Sequence, residues 1–367
     1  MTKSAFLEER HLKLAERVRA FGDKRLRAAL RDEADPAGRT RELVLQLAEE
    51  NLLVVAVAPP WGAMDLRSVV VVRETLAYFS SLADTAFAMQ GLGSYALGLV
   101  GTDVQKKRWL PAVARGEVLA AFAVTEPEAG SDLAAVRTRA RPDGLVWRLR
   151  GVKTLISNAG IAGLYTVLAR SADGDDHHGL SLFLVDAEAP GLVVKPLEAI
   201  APHPLGEVRF EATPAVLLGA EGKGFGLALA TLDAIRPSVR AFDEALRWAQ
   251  ARRQFGHRLA EFQAVQMALA EMYVDLEAAR LLVHRAAWLR DNGAERITRE
   301  GAMAKLAATE MAQRVVDRSV QIHGGQGVMR GATVERLYRE VRSLRIYEGT
   351  SEIQKLVIAR DILKDTR

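Results

Sequence analysis

The chain has 367 residues, 49% of them hydrophobic and 26% charged, which is the balance of a folded globular protein and excludes a mainly disordered one. Its 50 Lys and Arg against 46 Asp and Glu leave a net charge of only +4, so nucleic acid is not an expected partner. Cysteine is absent, which removes disulfides, thiolate metal sites and a cysteine nucleophile and leaves any redox chemistry to a cofactor.

The opening MTKSAFLEERHLKLAERVRAFG carries a charge every few residues and has no apolar core of signal type, so it predicts a helix. No stretch has the roughly 20 strongly apolar residues that a span requires; a cytoplasmic protein without a membrane span is the expectation. From residue 4 to about 118 apolar residues recur at helical spacing, as in Leu43 and Leu47, then Val69, Val72, Leu76 and Phe79, with breaks at Asp35-Pro36 and at Pro59 to Gly62. Near residue 119 the texture changes. Val146 to Arg150 alternates with period two just after the turn sequence Pro142-Asp143-Gly144. Tyr165–Leu168, Ser181–Val185 and Glu207–Phe210 continue the strand pattern to about residue 217.

Beyond Gly224 the helical period returns. Phe262, Val265, Leu269, Met272 and Leu276 make a seam suited to antiparallel helix packing, and further helices are predicted through Ala302–Val320 and Ile353–Leu363. Segregated blocks of this kind argue against a doubly wound sheet. They predict a multi-domain α and β chain: an N-terminal helical domain at 1–118, a middle β-barrel or sandwich domain at 119–222, and a C-terminal four-helix bundle at 223–367.

Five motifs could carry chemistry. Phe122 to Asp132 (FAVTEPEAGSD) runs an apolar strand end into a turn of small polar residues, a place that offers backbone N–H groups and hydroxyls to a ligand, although the same residues make any turn. Lys153 to Ala159 is a strand ending in small polar residues, and by itself reads as structural. Arg252-Arg253-Gln254-Phe255-Gly256 brings two guanidinium groups near a helix start, suited to phosphate or to a solvated basic turn. In Gln321 to Gly327 (QIHGGQG) three glycines permit close backbone approach, or simply end a helix. In Ile346 to Gln354 (IYEGTSEIQ) a helix cap accounts for Thr350 or Ser351 but not for Glu348. His177-His178 follows an exposed acidic loop with no further ligand in register, so no metal site is expected.

In this order and spacing the motifs resemble those of the acyl-CoA dehydrogenase family over nearly the whole chain. The resemblance implies FAD held between the middle β domain and the C-terminal helices, and α,β-dehydrogenation of an acyl-CoA to an enoyl-CoA. Glu348 matches the α-proton base, and its backbone N–H matches a donor to the thioester oxygen. The position of an alternative base on an earlier helix is Ile235 here, ahead of Arg236. Asp233 and Arg236 match a pair that orients or tunes the base, and Tyr347 and Gly349 flank it beside the substrate. Phe122, Val124, Thr125 and Ser157 match flavin contacts, and Ser131 a contact to the pantetheine arm. Arg252, Gln254, Phe255, Gln321, Gly324 and Gly325 match positions that reach the FAD of a neighbouring subunit, and Thr350 and Glu352 the FAD of their own. That sharing implies a homo-oligomer, dimer or tetramer. Electron-transferring flavoprotein is the implied acceptor; an oxidase that reduces oxygen, or a non-catalytic binding or assembly subunit, are the alternatives.

Two departures stand out. Leu155 replaces the family's usual Trp against the flavin, keeping an apolar wall but losing ring stacking. The Arg236–Arg252 stretch is also shorter than the family pattern by about two helical turns or more.

Overall fold

The computed structural model describes residues 4–26, 35–174, 177–224 and 240–365. Their contacts form two compact units: the described residues of Met1–Arg31, Leu66–Ser81 and Asp233–Arg367, and those of Asp32–Asp65 and Leu82–Leu232.

In the second unit, helix α2 (Pro36–Glu49) begins where Asp35-Pro36 breaks the preceding pattern: the Asp35 carboxylate accepts from Gly38 N–H at 2.8 Å and Pro36 occupies the first helical position. α4 (Ser81–Val100) lies against the first strand, β1 (Ala120–Ala123). Gln90 pins the two together. Its amide donates to the Val118 carbonyl at 2.9 Å and its oxygen accepts from Ala120 N–H at 2.9 Å. Gly93 permits the approach, since a Cβ there would stand 2.6 Å from that of Ala120. α5 (Asp103–Ala114) starts with a reciprocal Thr102–Gln105 capping box.

Five strands of this unit close a ring: β2 (Arg139–Asp143), β3 (Val146–Ser157), β7 (Leu205–Leu218), β5 (Leu180–Asp186) and β4 (Leu164–Arg170), with β4 meeting β2 again at Arg139 opposite Arg170. β1 runs parallel to β4, and β6 (Leu192–Pro196) pairs with β7. The period-two runs of the sequence are these strands. Pro142-Asp143-Gly144 makes the β2–β3 turn with Gly144 at φ +62°. Ring closure removes sheet edges and buries Leu149, Tyr165, Val167, Phe183 and Val208 in one apolar core.

In the first unit, α7 (Gln263–Asp291) and α8 (Thr298–His323) are the long helices, joined by α6 (Arg240–Ala251), α9 (Thr333–Arg342) and α10 (Ser351–Asp365). The predicted Ala302–Val320 and Ile353–Leu363 lie inside α8 and α10, and the predicted seam enters α7 with Phe262 as its N-cap. Met272, Leu276, Ala279 and Val283 of α7 share a core with Ala304, Ala308, Met311 and Val315 of α8, and the alanines let the helices approach closely. α1 (Glu9–Phe21) and α3 (Leu66–Phe79) belong to this unit: α3 donates Val70 to the same core, and the Glu74 carboxylate accepts from Arg280 Nε of α7 at 2.9 Å. Among the described residues no helix is long and apolar enough to cross a membrane.

Candidate active site

Each unit carries one part of the motif set. In the second, β1 ends at Ala123 and the chain enters the 124–132 turn. Phe122 and Val124 are buried, Thr125 is half-buried and Ser131 is exposed in the turn itself. The turn is tied to β3: the Thr125 carbonyl accepts from Thr154 N–H at 2.9 Å. At that point β3 bulges. Lys153 pairs with Val208 and Ile156 with Gly206, so that Thr154 and Leu155 stand where β7 has only Glu207. Leu155 sits at φ +57° with 60% of its surface exposed, while Ser157 ends the strand half-buried.

Beneath this edge lies a pair of charges the motif reading did not single out. The Lys153 ammonium, fully buried, donates to the Val124 carbonyl at 2.8 Å and to Glu126 Oε1 at 2.8 Å. Glu126 also accepts from Arg137 N–H at 2.7 Å and Thr138 N–H at 2.9 Å. Burial pushes the ammonium down to about 8, against the pull of Glu126. Burial raises the carboxyl, but Lys153, Thr138 and the Arg137 N–H outweigh it and hold Glu126 below its usual range. A sequence signal existed: Lys153 has the same parity as buried Leu149 on an alternating strand, and an inward lysine demands a carboxylate.

In the first unit, the Ile346–Gln354 segment crosses α8. Glu348 at φ +55° and Gly349 at φ +87° make two successive left-handed residues. The Gly349 carbonyl accepts from the buried Lys305 of α8, and Gln354 Nε2 donates to the Glu348 and Gly349 carbonyls, both at 3.4 Å. Ser351 Oγ and Arg345 Nε converge on Glu310 Oε1 at 2.6 and 2.8 Å. Burial raises the Glu310 carboxyl, but these donors hold it below its usual value. Tyr347 packs on the unit's core. Thr350 caps α10, its Oγ1 accepting from Ile353 N–H at 3.3 Å. The exposed Glu352 carboxyl in the first turn is lowered by its own backbone N–H and by Thr350. The Glu348 carboxylate and N–H are left over: among the described residues neither has a hydrogen-bond partner.

Arg252, Gln254 and Phe255 lie elsewhere in this unit. Arg253-Gln254 pairs with His257-Arg258 as a short hairpin whose turn, Phe255 at φ +51° and Gly256 at φ +81°, leaves Phe255 91% exposed. Trp248, at the end of α6, stacks on His323, the last residue of α8, at 4.9 Å, which brings this hairpin to the α8 end that bears exposed Gln321, Gly324 and Gly325. A Cβ on either glycine would meet nothing within 4 Å. Lys305 and Gln321 are about 24 Å apart along α8 at helical rise, so Glu348, Thr350 and Glu352 form one station and the 252–255 and 321–325 residues another. Asp233 and Arg236 lie outside the described residues.

These features fit the flavin that the motifs imply. An exposed leucine held out by a bulge offers an apolar wall to a flat ring, the strand end beside it is small and polar, and the open glycines with Arg252 suit a pyrophosphate.

Comparison with known proteins agrees. Residues 8–117, 121–213 and 222–363 match the families described as the acyl-CoA dehydrogenase N-terminal, middle and C-terminal domains. The chain is 36% identical over 379 residues to a 3-(aryl)acrylate reductase of Clostridium sporogenes, covering 98% of this chain and 100% of that protein. It is 33% identical over 382 residues to a caffeyl-CoA reductase-Etf complex subunit of Acetobacterium woodii, covering 98% and 100%. An acyl-CoA dehydrogenase from Bacillus anthracis solved with FAD superposes with a TM-score of 0.90 at 28% identity, covering 98% of this chain and 68% of that one.

Proposed function

This chain belongs to the acyl-CoA dehydrogenase family, and on that premise we propose that it converts an acyl-CoA thioester to the trans-2-enoyl-CoA with Glu348 as α-proton base. The enzyme is an oxidoreductase of acyl-CoA thioesters and its cofactor is FAD, which when bound supplies the hydride acceptor.

The observation that carries the reading is the Glu348 turn. A left-handed pair of residues is costly for a non-glycine, and here Lys305, Gln354 and the Thr350 cap all hold it in place. The product is a carboxylate and an N–H that serve no structural bond among the described residues. The carboxylate takes the α-proton, and the N–H donates to the thioester oxygen as negative charge develops there. Phe122, Val124, Thr125 and Ser157 bind the flavin, Leu155 excludes water from its face, and Ser131 contacts the pantetheine arm. Tyr347 and Gly349 line the substrate side of the base, with Asp233 and Arg236 orienting it. Thr350 and Glu352 contact the FAD of their own subunit. Arg252, Gln254, Phe255, Gln321, Gly324 and Gly325 serve that of a neighbour, in a homo-oligomer with the three domains given above. Electrons leave to an electron-transferring flavoprotein, as the name of the Acetobacterium relative suggests.

A second reading runs the same site backwards. One relative is named a 3-(aryl)acrylate reductase and another a subunit of a caffeyl-CoA reductase-Etf complex, and by microscopic reversibility Glu348 would then give a proton to the α-carbon. Anaerobic titration of the yellow protein with straight, branched and aromatic acyl-CoAs tests the first direction. Reoxidation of the photoreduced protein by the matching enoyl-CoAs tests the second. Peroxide formed under air would mark an oxidase, and absence of flavin change with every thioester would refute both directions.

A further inference from the structure

We infer that Lys153, braced by Glu126, is the positioning residue of the flavin-facing edge: its ammonium fixes the Val124 carbonyl and so sets Val124, Thr125 and the Leu155 bulge in place. The inference rests on the reading of that edge as the flavin contact.

Four observations meet there. First, Lys153 has no exposed surface, and a buried ammonium is expensive unless each bond is well placed. Second, its donors are divided between an acid and a backbone carbonyl. Glu126 alone would neutralise it, yet one N–H goes to Val124 at 2.8 Å, the first residue after β1 and a candidate flavin contact. Third, the acid belongs to the same turn: Glu126 and Ala129 exchange backbone bonds at 3.0 and 3.2 Å, and the carboxylate is held by the Arg137 and Thr138 N–H groups, so the brace is anchored at both ends. Fourth, Lys153 is the residue immediately before the bulge. Thr154 N–H bonds the Thr125 carbonyl at 2.9 Å, and Leu155 turns outward in the next step. One side chain therefore ties strand end, turn and bulge, and a shift of its ammonium moves the polar donors and the apolar wall together.

A purely structural pair makes a different prediction from a positioning one. Buried ion pairs are often replaceable by neutral partners of like shape with little loss of stability. The double variant Lys153→Met/Glu126→Gln removes both charges without orphaning either. It also removes the Lys153 bond to Val124 and, because glutamine has a single acceptor oxygen, one of the two backbone N–H bonds made at 126. Apoprotein of wild type, the double variant and Thr125→Val is titrated with FAD, following flavin fluorescence, visible spectrum and midpoint potential alongside the thermal midpoint. Expected for the double variant is a thermal midpoint within a few degrees of wild type, FAD binding weakened by on the order of tenfold, about the worth of one well-placed bond, and a shifted flavin spectrum. A double variant with wild-type affinity, spectrum and potential, while Thr125→Val alters them, overturns the inference and leaves the edge reading standing. If Thr125→Val also leaves all three unchanged, the edge is not the flavin contact and both fall. Lys153→Met alone serves as the control for an orphaned Glu126.

Discussion

The ammonium of Lys153 and the carboxylate of Glu126 meet at 2.8 Å with both side chains closed to solvent. Their titrations make stability depend on pH at both extremes. Burial lowers Lys153 from 10.5 to about 8, so between those values the unfolded chain binds the extra proton and stability rises with pH; the gain is complete above 10.5 and gone below 8. Glu126 is depressed, so its contribution is present above about 4.5 and lost as pH falls through the lowered value. Thermal midpoints of wild type and Lys153→Met/Glu126→Gln, compared from pH 7.5 to 10.5, are expected to diverge in favour of wild type. A constant or shrinking difference would contradict the assignment.

Glu74 of α3 is a second buried acid, 2.9 Å from Arg280 Nε and 3.6 Å from His284 Nε2 of α7. Burial raises its carboxyl, but His284 and Arg280 together hold it below the usual value. Arg280→Met leaves that charge without its closest partner and should cost about 3–5 kcal/mol, read from urea denaturation at pH 7. Adding Glu74→Gln should recover most of the loss. If the single change costs under about 1 kcal/mol, the pair is no more than a surface-type contact.

Gly349 tests the turn that carries Glu348. A Cβ there would meet Gln354 Nε2 at 2.4 Å, the end of a flexible chain, so space yields but φ +87° does not. Gly349→Ala is expected to cost about 1 kcal/mol in stability and more than tenfold in kcat, with flavin content unchanged, because a small rotation displaces the base. Equal loss of flavin and activity would mean that the turn serves cofactor binding alone.

Phe255 is 91% exposed on the hairpin turn, so it buries almost nothing within its own chain. Phe255→Ser should leave the intrinsic fold intact by circular dichroism while weakening FAD retention and subunit association, measured by mass photometry of the holoprotein. An unchanged assembly with full flavin would remove Phe255 from the shared site.

Much of the fold was legible because it is periodic. Leu43 and Leu47, then Leu269, Met272 and Leu276 of the seam, and Trp147 and Leu149 of the alternating run mark inward faces, while Phe262 and Val265 at the start of the seam stay half-buried outside the core. The allegiance of α1 and α3 to the C-terminal helices was not, because it depends on pairs such as Glu74 and Arg280, 206 residues apart, for which no local pattern exists. The site motifs were visible as clusters of small polar residues, which local chemistry alone could not distinguish from turns. What decides their use is backbone geometry: the bulge that turns Leu155 outward, and the left-handed Glu348. Lys305, which holds the Glu348 turn from α8, looked like any solvated lysine in a helix.

The central claim is that Glu348 is the α-proton base. The direct test is anaerobic titration of flavin-loaded wild type and Glu348→Gln with a saturated acyl-CoA that bleaches the wild type, following flavin absorbance by stopped flow. Equal flavin content is expected, with bleaching slower in the variant by about 10²–10⁴-fold, the usual range for a lost general base. Bleaching of Glu348→Gln at the wild-type rate would contradict it.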